Sequence, residues 1–187
     1  IFTGSVHEPI KGTKNPQKML QTGIPFTKKP VALQFDYKVK MSDRENRIRA
    51  TGFSKITDVP GKDYPAAILL LQKRWEDANG NVYAKRIGTM VTYYYHSTDW
   101  KNNVTYEIMY GDITNRPEYK AHMMRLQATE SYTVNSKGES VPIHEVAWGD
   151  ENDVPTHMYI QFTSSHGGAY IGSPGNTLWV DNVKLVY

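Results

Sequence analysis

Apolar and polar residues alternate with a period of two along several stretches. In "VALQFDYKVKM", Val31, Leu33, Phe35, Tyr37, Val39 and Met41 fall on one side, and Gln34, Asp36, Lys38 and Lys40 on the other. That predicts a strand with one wet face, as in an antiparallel sheet. "NVTYEIMY" repeats the pattern with Val104, Tyr106, Ile108 and Tyr110, and "HMYIQF" with Met158, Ile160 and Phe162. "AAILLLQKRW", residues 66–75, is continuously apolar at first and suits a strand buried on both faces. Asn79-Gly80 then signals a hairpin, with "VYAKRIGTMVTYYY" returning as the partner strand. In that partner Tyr93 and Tyr95 share a face and Tyr94 takes the other. Many strands, turns rich in Gly and Pro, and almost no helical pattern predict an all-β, antiparallel β-sandwich.

The last strand, "TLWVDNVKLVY", changes phase. Leu178 and Val180 share one parity, and Val183, Leu185 and Tyr187 the other. An extra residue at Asp181-Asn182, a β-bulge, would return both halves to the core. Trp179 is expected to pack in the core or at its rim, the alternative being that Trp179, Asp181 and Val183 face a second, partly open layer. Residues 112–154 lack clear alternation and read as an irregular insertion, where function often resides. Within it, 116–127 suggests a short helix with Pro117 in its first turn, and 129–146 a hairpin turning at Ser136-Lys137-Gly138.

Composition narrows the class. The 187 residues are 39% hydrophobic and 12% aromatic, which fits one globular domain spanning 1–187. The net charge of +3 and the scattered Lys11, Lys14, Lys18, Lys28 and Lys29 argue against nucleic acid as a partner. No apolar run is long enough to be a transmembrane segment. The chain has no Cys, hence no disulfide, thiolate nucleophile or Cys-ligated zinc. It begins at Ile1 without a signal peptide, so the expectation is a module cut from a longer precursor.

Three stretches carry a resemblance: "IFTGS" at 1–5, "TGIPFTKKPVALQFDYKV" at 22–39 and "IQFTSSHGGAYIGSPGNTLWVDNVKLVY" at 160–187. Together they resemble the PCMD family, the putative carbohydrate metabolism domain. The match is collinear, reaches both ends and is weakest over 112–154. Lys28-Lys29 stand where the family tends to have Gly-Arg, and "VDN" replaces "VDD". The resemblance implies a C-terminal jelly-roll or galactose-binding-like sandwich in lipoproteins of Bacteroides-type bacteria. It also implies an extracellular or periplasmic, cell-surface location. It supplies no catalytic residues. Related jelly-roll modules hold a structural calcium through an Asp on the final strand, and Asp181 fits that place by resemblance. The bulge explains the same Asp without a metal, and no other cofactor is expected.

The chemistry of the residues leaves three classes open. Sugar rings offer apolar C–H faces rimmed by hydroxyls, so a binder needs flat aromatic rings beside planar polar groups. Trp148 in "AWGDEND" and Trp100 in "STDWKNN" read as loop-placed platforms, with Asp150, Asn152, Asp99 and Asn102 as hydrogen-bonding partners and Tyr119 and Tyr132 as companions. The favoured reading is therefore a non-catalytic module that binds or presents a polysaccharide or other glycan. A structural module contacting other surface proteins would use the same Trp and Tyr residues. A glycoside hydrolase would need two carboxylates about 5 to 10 Å apart across a cleft. Asp36, Glu107, Asp150 and Asp181 are candidates that spacing cannot pair. "SSHGG" at 164–168 lacks the frame of a nucleophile elbow and reads as a loop whose hydroxyls bond to nearby backbone.

Overall fold

Strands dominate the computed structural model, which describes residues 1–6, 15–51 and 55–187. Lys11 and Lys14 lie outside the described residues. In chain order the elements are β1 (Gly4–Val6), a 3-10 turn (Pro16–Met19), β2 (Leu20–Thr22), β3 (Ile24–Pro25), β4 (Ala32–Lys40), β5 (Arg47–Arg49), β6 (Thr57–Val59), β7 (Ala66–Glu76) and β8 (Val82–Tyr93). There follow β9 (Thr98–Glu107), β10 (Met109–Tyr110), α1 (Ala121–Met124), β11 (Tyr132–Val134), β12 (Ser140–Trp148), β13 (His157–Thr163), β14 (Ile171–Gly172) and β15 (Thr177–Val186). The all-β sandwich expected from the alternation is present. A large sheet runs β11-β12-β8-β7-β13-β3, and a small one β15-β4-β9.

The two sheets close on the residues whose alternation is regular. Leu33, Phe35 and Val39 of β4 meet Leu69, Leu71, Ile87, Met90, Met158, Ile160 and Phe162 of the large sheet. Phe35 stands edge-on to Phe162 across the layers at 5.0 Å and stacks on Tyr106 of its neighbouring strand at 5.2 Å. Tyr94 joins this core while Tyr93 and Tyr95 face away together. The chain passes from the small sheet to the large one between β9 and β10, at buried Ile108. Gly88 makes room for that crossing, since a Cβ there would lie 3.0 Å from Ile108 and 3.1 Å from Leu71.

The hairpin of β7 and β8 closes through Asp77–Asn81. The Asp77 carboxylate accepts the N–H groups of Asn79 and Asn81, so the loop has five residues. One departure from the expected antiparallel sheet is β12, which pairs β8 in parallel. β12 and the short β10 share one edge of β8, each covering part of it. The segment 112–154 is thus not wholly irregular, because its β12 is a strand of the main sheet. Its hairpin turns at 135–139 as expected, but its helix is only α1, starting four residues after Pro117.

The rest of that segment covers the outer face of the large sheet. Ile113, Met123 and Met124 pack onto Ile68, Leu70 and Val91, which buries β7 on both faces. At Ile87 a bulge keeps that side chain in the first core while Arg86 turns outward beneath the cover. There Arg86 Nε donates to Glu145 Oε1 at 2.5 Å and Nη2 donates to Oε2. Gln72 Nε2 and Gln127 N add bonds to the same carboxylate at 2.7 and 2.9 Å. Arg86 Nη1 reaches Met124 O at 3.3 Å, so the pair holds the cover from both of its charges. Burial pushes the Glu145 carboxyl up. The Arg86 bonds and charge outweigh this and hold it below the usual value.

The bulge expected in the terminal strand is present. The β15–β4 register slips between Asp181 and Lys184, and Asn182 takes φ 51°. Leu178, Val180 and Leu185 pack on the core, whereas Val183 is 45% exposed and Tyr187 also faces solvent. Val183 faces out because it and Asn182 together oppose one residue of β4. Asp36 of β4 accepts Asn182 Nδ2 at 2.7 Å and Asn103 N at 2.5 Å, tying this bulge to a second one on β9.

Two outcomes follow. Glu145→Ala strands a buried guanidinium and should cost about 3–5 kcal/mol, read from the urea midpoint, with most of it regained in Glu145→Ala/Arg86→Met. His157 is pulled down to about 4, first by burial and then by the Arg74 charge. Between roughly pH 6.5 and the folded value the unfolded chain binds more protons. Its contribution is therefore complete above that window and lost as pH falls through it. Denaturation between pH 7 and pH 4 should show this slope, and His157→Gln should flatten it.

Candidate functional site

A groove of about 440 Å³ opens where the cover stops short of the edge of the large sheet. Its floor is the outward face of three adjacent strands: Ile68 of β7, Tyr93 of β8, and Gln161 and Thr163 of β13. One wall is the cover, with His122, Ala128 and Thr129. A second is the loop after β13, with Ser165 and His166, and a third is the 3-10 turn with Pro16 and Gln17. The floor strands alternate, so the parity that sends Leu69, Met90 and Phe162 inward sends these groove residues outward.

Rings cluster at one end. The Tyr93 ring lies 4.8 Å from the His166 imidazole and 6.0 Å from His122. Tyr64 stacks on His166 at 5.6 Å and meets Tyr95 edge-on at 4.7 Å. Asp63, which is buried, fixes the imidazole. Its Oδ1 accepts His166 N at 3.0 Å and lies 2.9 Å from Nδ1, while Oδ2 accepts Ser173 N at 3.1 Å. Burial pushes the Asp63 carboxyl up, but the His166 and Ser165 hydrogen bonds outweigh it and hold it low. With Nδ1 engaged, Nε2 is the ring nitrogen left for a ligand. Burial raises the Tyr93 phenol, with the Tyr95 and Asp63 charges adding to it, so its hydroxyl stays neutral and can both donate and accept.

Within "SSHGG" the Ser165 hydroxyl bonds as a loop requires, Oγ donating to Ile171 O at 3.0 Å, and just before the motif Thr163 Oγ1 donates to Ser165 O at 2.6 Å. None of the described residues lining the groove is an acid. The described residues of the site therefore offer ring faces, hydroxyls, amides and imidazole nitrogens, but no facing pair of carboxylates.

The residues expected from the sequence are scattered over several places, none of them in the groove. Trp148 ends β12 and is half-buried, with its ring 5.6 Å from the Arg86 guanidinium and edge-on to Tyr119 at 6.5 Å. Tyr132 is buried in β11, where it hydrogen-bonds with Asn15 and Glu130. Asp150 caps its own turn by accepting Asn152 N at 2.8 Å. Trp100, Asp99 and Asn102 lie within β9, not in a loop, and Trp100 is 47% exposed. Trp179, expected within the packing, is 40% exposed. Asp181 accepts Asn182 N at 2.7 Å, and among the described residues no three His, Cys, Asp or Glu side chains converge as metal ligands. Sequence reasoning missed Tyr93, His122 and His166 as a group. The parity of Tyr93 and Tyr95 was the one local signal for them.

Comparison with known proteins gives the chain its place. No curated protein matches it. A solved structure described as a putative glycoside hydrolase from Bacteroides vulgatus ATCC 8482 is similar over 92% of this chain, at 14% identity and a TM-score of 0.47. The chain spans 58% of that structure's length. A family model matches residues 1–186, and the chain belongs to that family, the putative carbohydrate metabolism domain.

Proposed function

We propose that the protein recognises carbohydrate without cleaving it, and that the groove over Tyr93 is the binding site. The observation that carries this reading is the groove's make-up: ring faces at one end, the Tyr93 hydroxyl and the Gln161 amide on the floor, and no acid among the described lining residues. Its volume suits one or two sugar rings. A ring stacked on Tyr93 would hold its apolar face there, while His166, Gln161 and Thr129 would bond the hydroxyl rim. Asp63 contributes by fixing His166 before the ligand arrives, which lowers the cost of ordering the site. Membership of a carbohydrate-metabolism family supports the class of ligand. The bacterial cell-surface setting belongs to the same proposal and rests on the resemblance of the two chain ends.

A glycan array followed by calorimetry with the best short oligosaccharide tests it. Tyr93→Ala should weaken binding at least tenfold, about 1.4 kcal/mol, without releasing a shortened product from the wild type. Unchanged affinity in both Tyr93→Ala and His166→Ala would sink the groove as the site, and reducing-end release would sink the non-catalytic reading.

A further inference from the structure

The geometry points to a second carbohydrate contact on the opposite side of the sandwich, fitted to an extended, uncharged polysaccharide chain. It rests on the carbohydrate reading above but uses none of the groove residues. Trp179 of β15 pairs with Lys38 of β4. On the other side of Lys38, β9 carries two residues, Asp99 and Trp100, between its pairings with Val39 and Tyr37. Trp179 and Trp100, both exposed, therefore stand on the strands either side of Lys38, with their backbones about 10 Å apart at two strand spacings. Lys38 Nζ lies 5.7 Å from the centre of the Trp179 ring. A shallow hollow of about 400 Å³ opens beside Trp179, lined also by Lys38, Val39, Lys40, Ser97, Thr98 and Asp99, and Trp100 is not part of its lining.

The fold does not need these rings, since neither belongs to a core cluster. The groups between them are hydroxyls, ammonium groups and carboxylates. A protein partner would look for a continuous apolar centre within an interface of roughly 1,000 Å² or more. A sugar chain instead alternates C–H faces with hydroxyls, which matches apolar islands set in a hydrogen-bonding field. The charges decide which kind of chain. Lys38, Lys40, Lys101 and Lys184 stand against Asp36, Asp99, Glu107 and Asp181 across the three strands, so the sheet has no excess sign to favour a polyanion. Residues two strand spacings apart suit contacts with alternate rings of an extended pyranose chain lying across the strands. Together with the groove, the platform would let one module hold a polymer at two points, raising avidity without a new contact at either.

Affinity electrophoresis of the full chain through gels containing soluble neutral β-glucan, xylan or mannan tests the platform. At least one polymer should retard the protein, and retardation should persist as salt is raised. Trp100→Ala/Trp179→Ala should weaken it at least tenfold with an unchanged thermal midpoint, while leaving the calorimetric affinity for short oligosaccharides intact. Retardation unchanged in the double variant, or abolished by salt, overturns the platform. If short oligosaccharides bind the groove and no polymer retards the wild type, the platform alone falls. If neither binds, the carbohydrate reading falls with it.

Discussion

One buried ion pair organises the outer half of this molecule. Arg86 and Glu145 sit on neighbouring, parallel strands and face away from the main core. Two charges in that position are costly unless every polar atom is matched. Gln72 and Thr89 match part of this from the sheet, and the cover adds Met124 O for the guanidinium and Gln127 N for the carboxylate. Trp148 lies over the guanidinium face, and Tyr119 closes against Trp148. The segment that lacks regular secondary structure is thus fixed by satisfying a charge pair, and its fixed edge becomes a wall of the groove. Stability and site share this one constraint.

The network extends beyond the pair. Gln72 links Glu145 to Arg74, and Arg74 donates to Thr22 O at 2.8 Å. Thr22 in turn donates to Tyr132 O at 2.9 Å. The N-terminal strand β2, the edge strand β11 and the central hairpin are joined through this polar seam. Apolar packing between the sheets is non-directional, whereas these bonds have fixed geometry. The seam therefore sets how the peripheral strands sit on a core that packing alone would leave less uniquely arranged.

The sequence made the inner core legible because one physical rule governs it. A half-buried strand must alternate, and Leu33, Phe35, Val39, Met158, Ile160 and Phe162 do so without competing demands. The doubly covered strand was legible for the same reason, as Ile68 to Leu71 are apolar at both parities. The candidate site was much less so. Asp63 and His166 are 103 residues apart, and no local pattern joins them. Trp148 and Tyr119 stand out as aromatics in an irregular stretch, yet they pack on each other, and Trp148 also on Arg86. Trp179 misled in the opposite way, because strand membership does not decide which face a ring takes. The phase slip at Asp181 was readable, but the side chain that holds it, Asp36, was not.

That carboxylate has a wider effect. Among the described residues the small sheet has two free borders, β9 and β15, and each is displaced from straight pairing by a left-handed asparagine, Asn103 or Asn182. Both are anchored to Asp36 on the strand between them. A foreign strand that approached either border would meet an uneven ladder of amides and carbonyls and could not zip along it. A domain with an open three-stranded sheet is in this way protected from joining its own copies edge to edge.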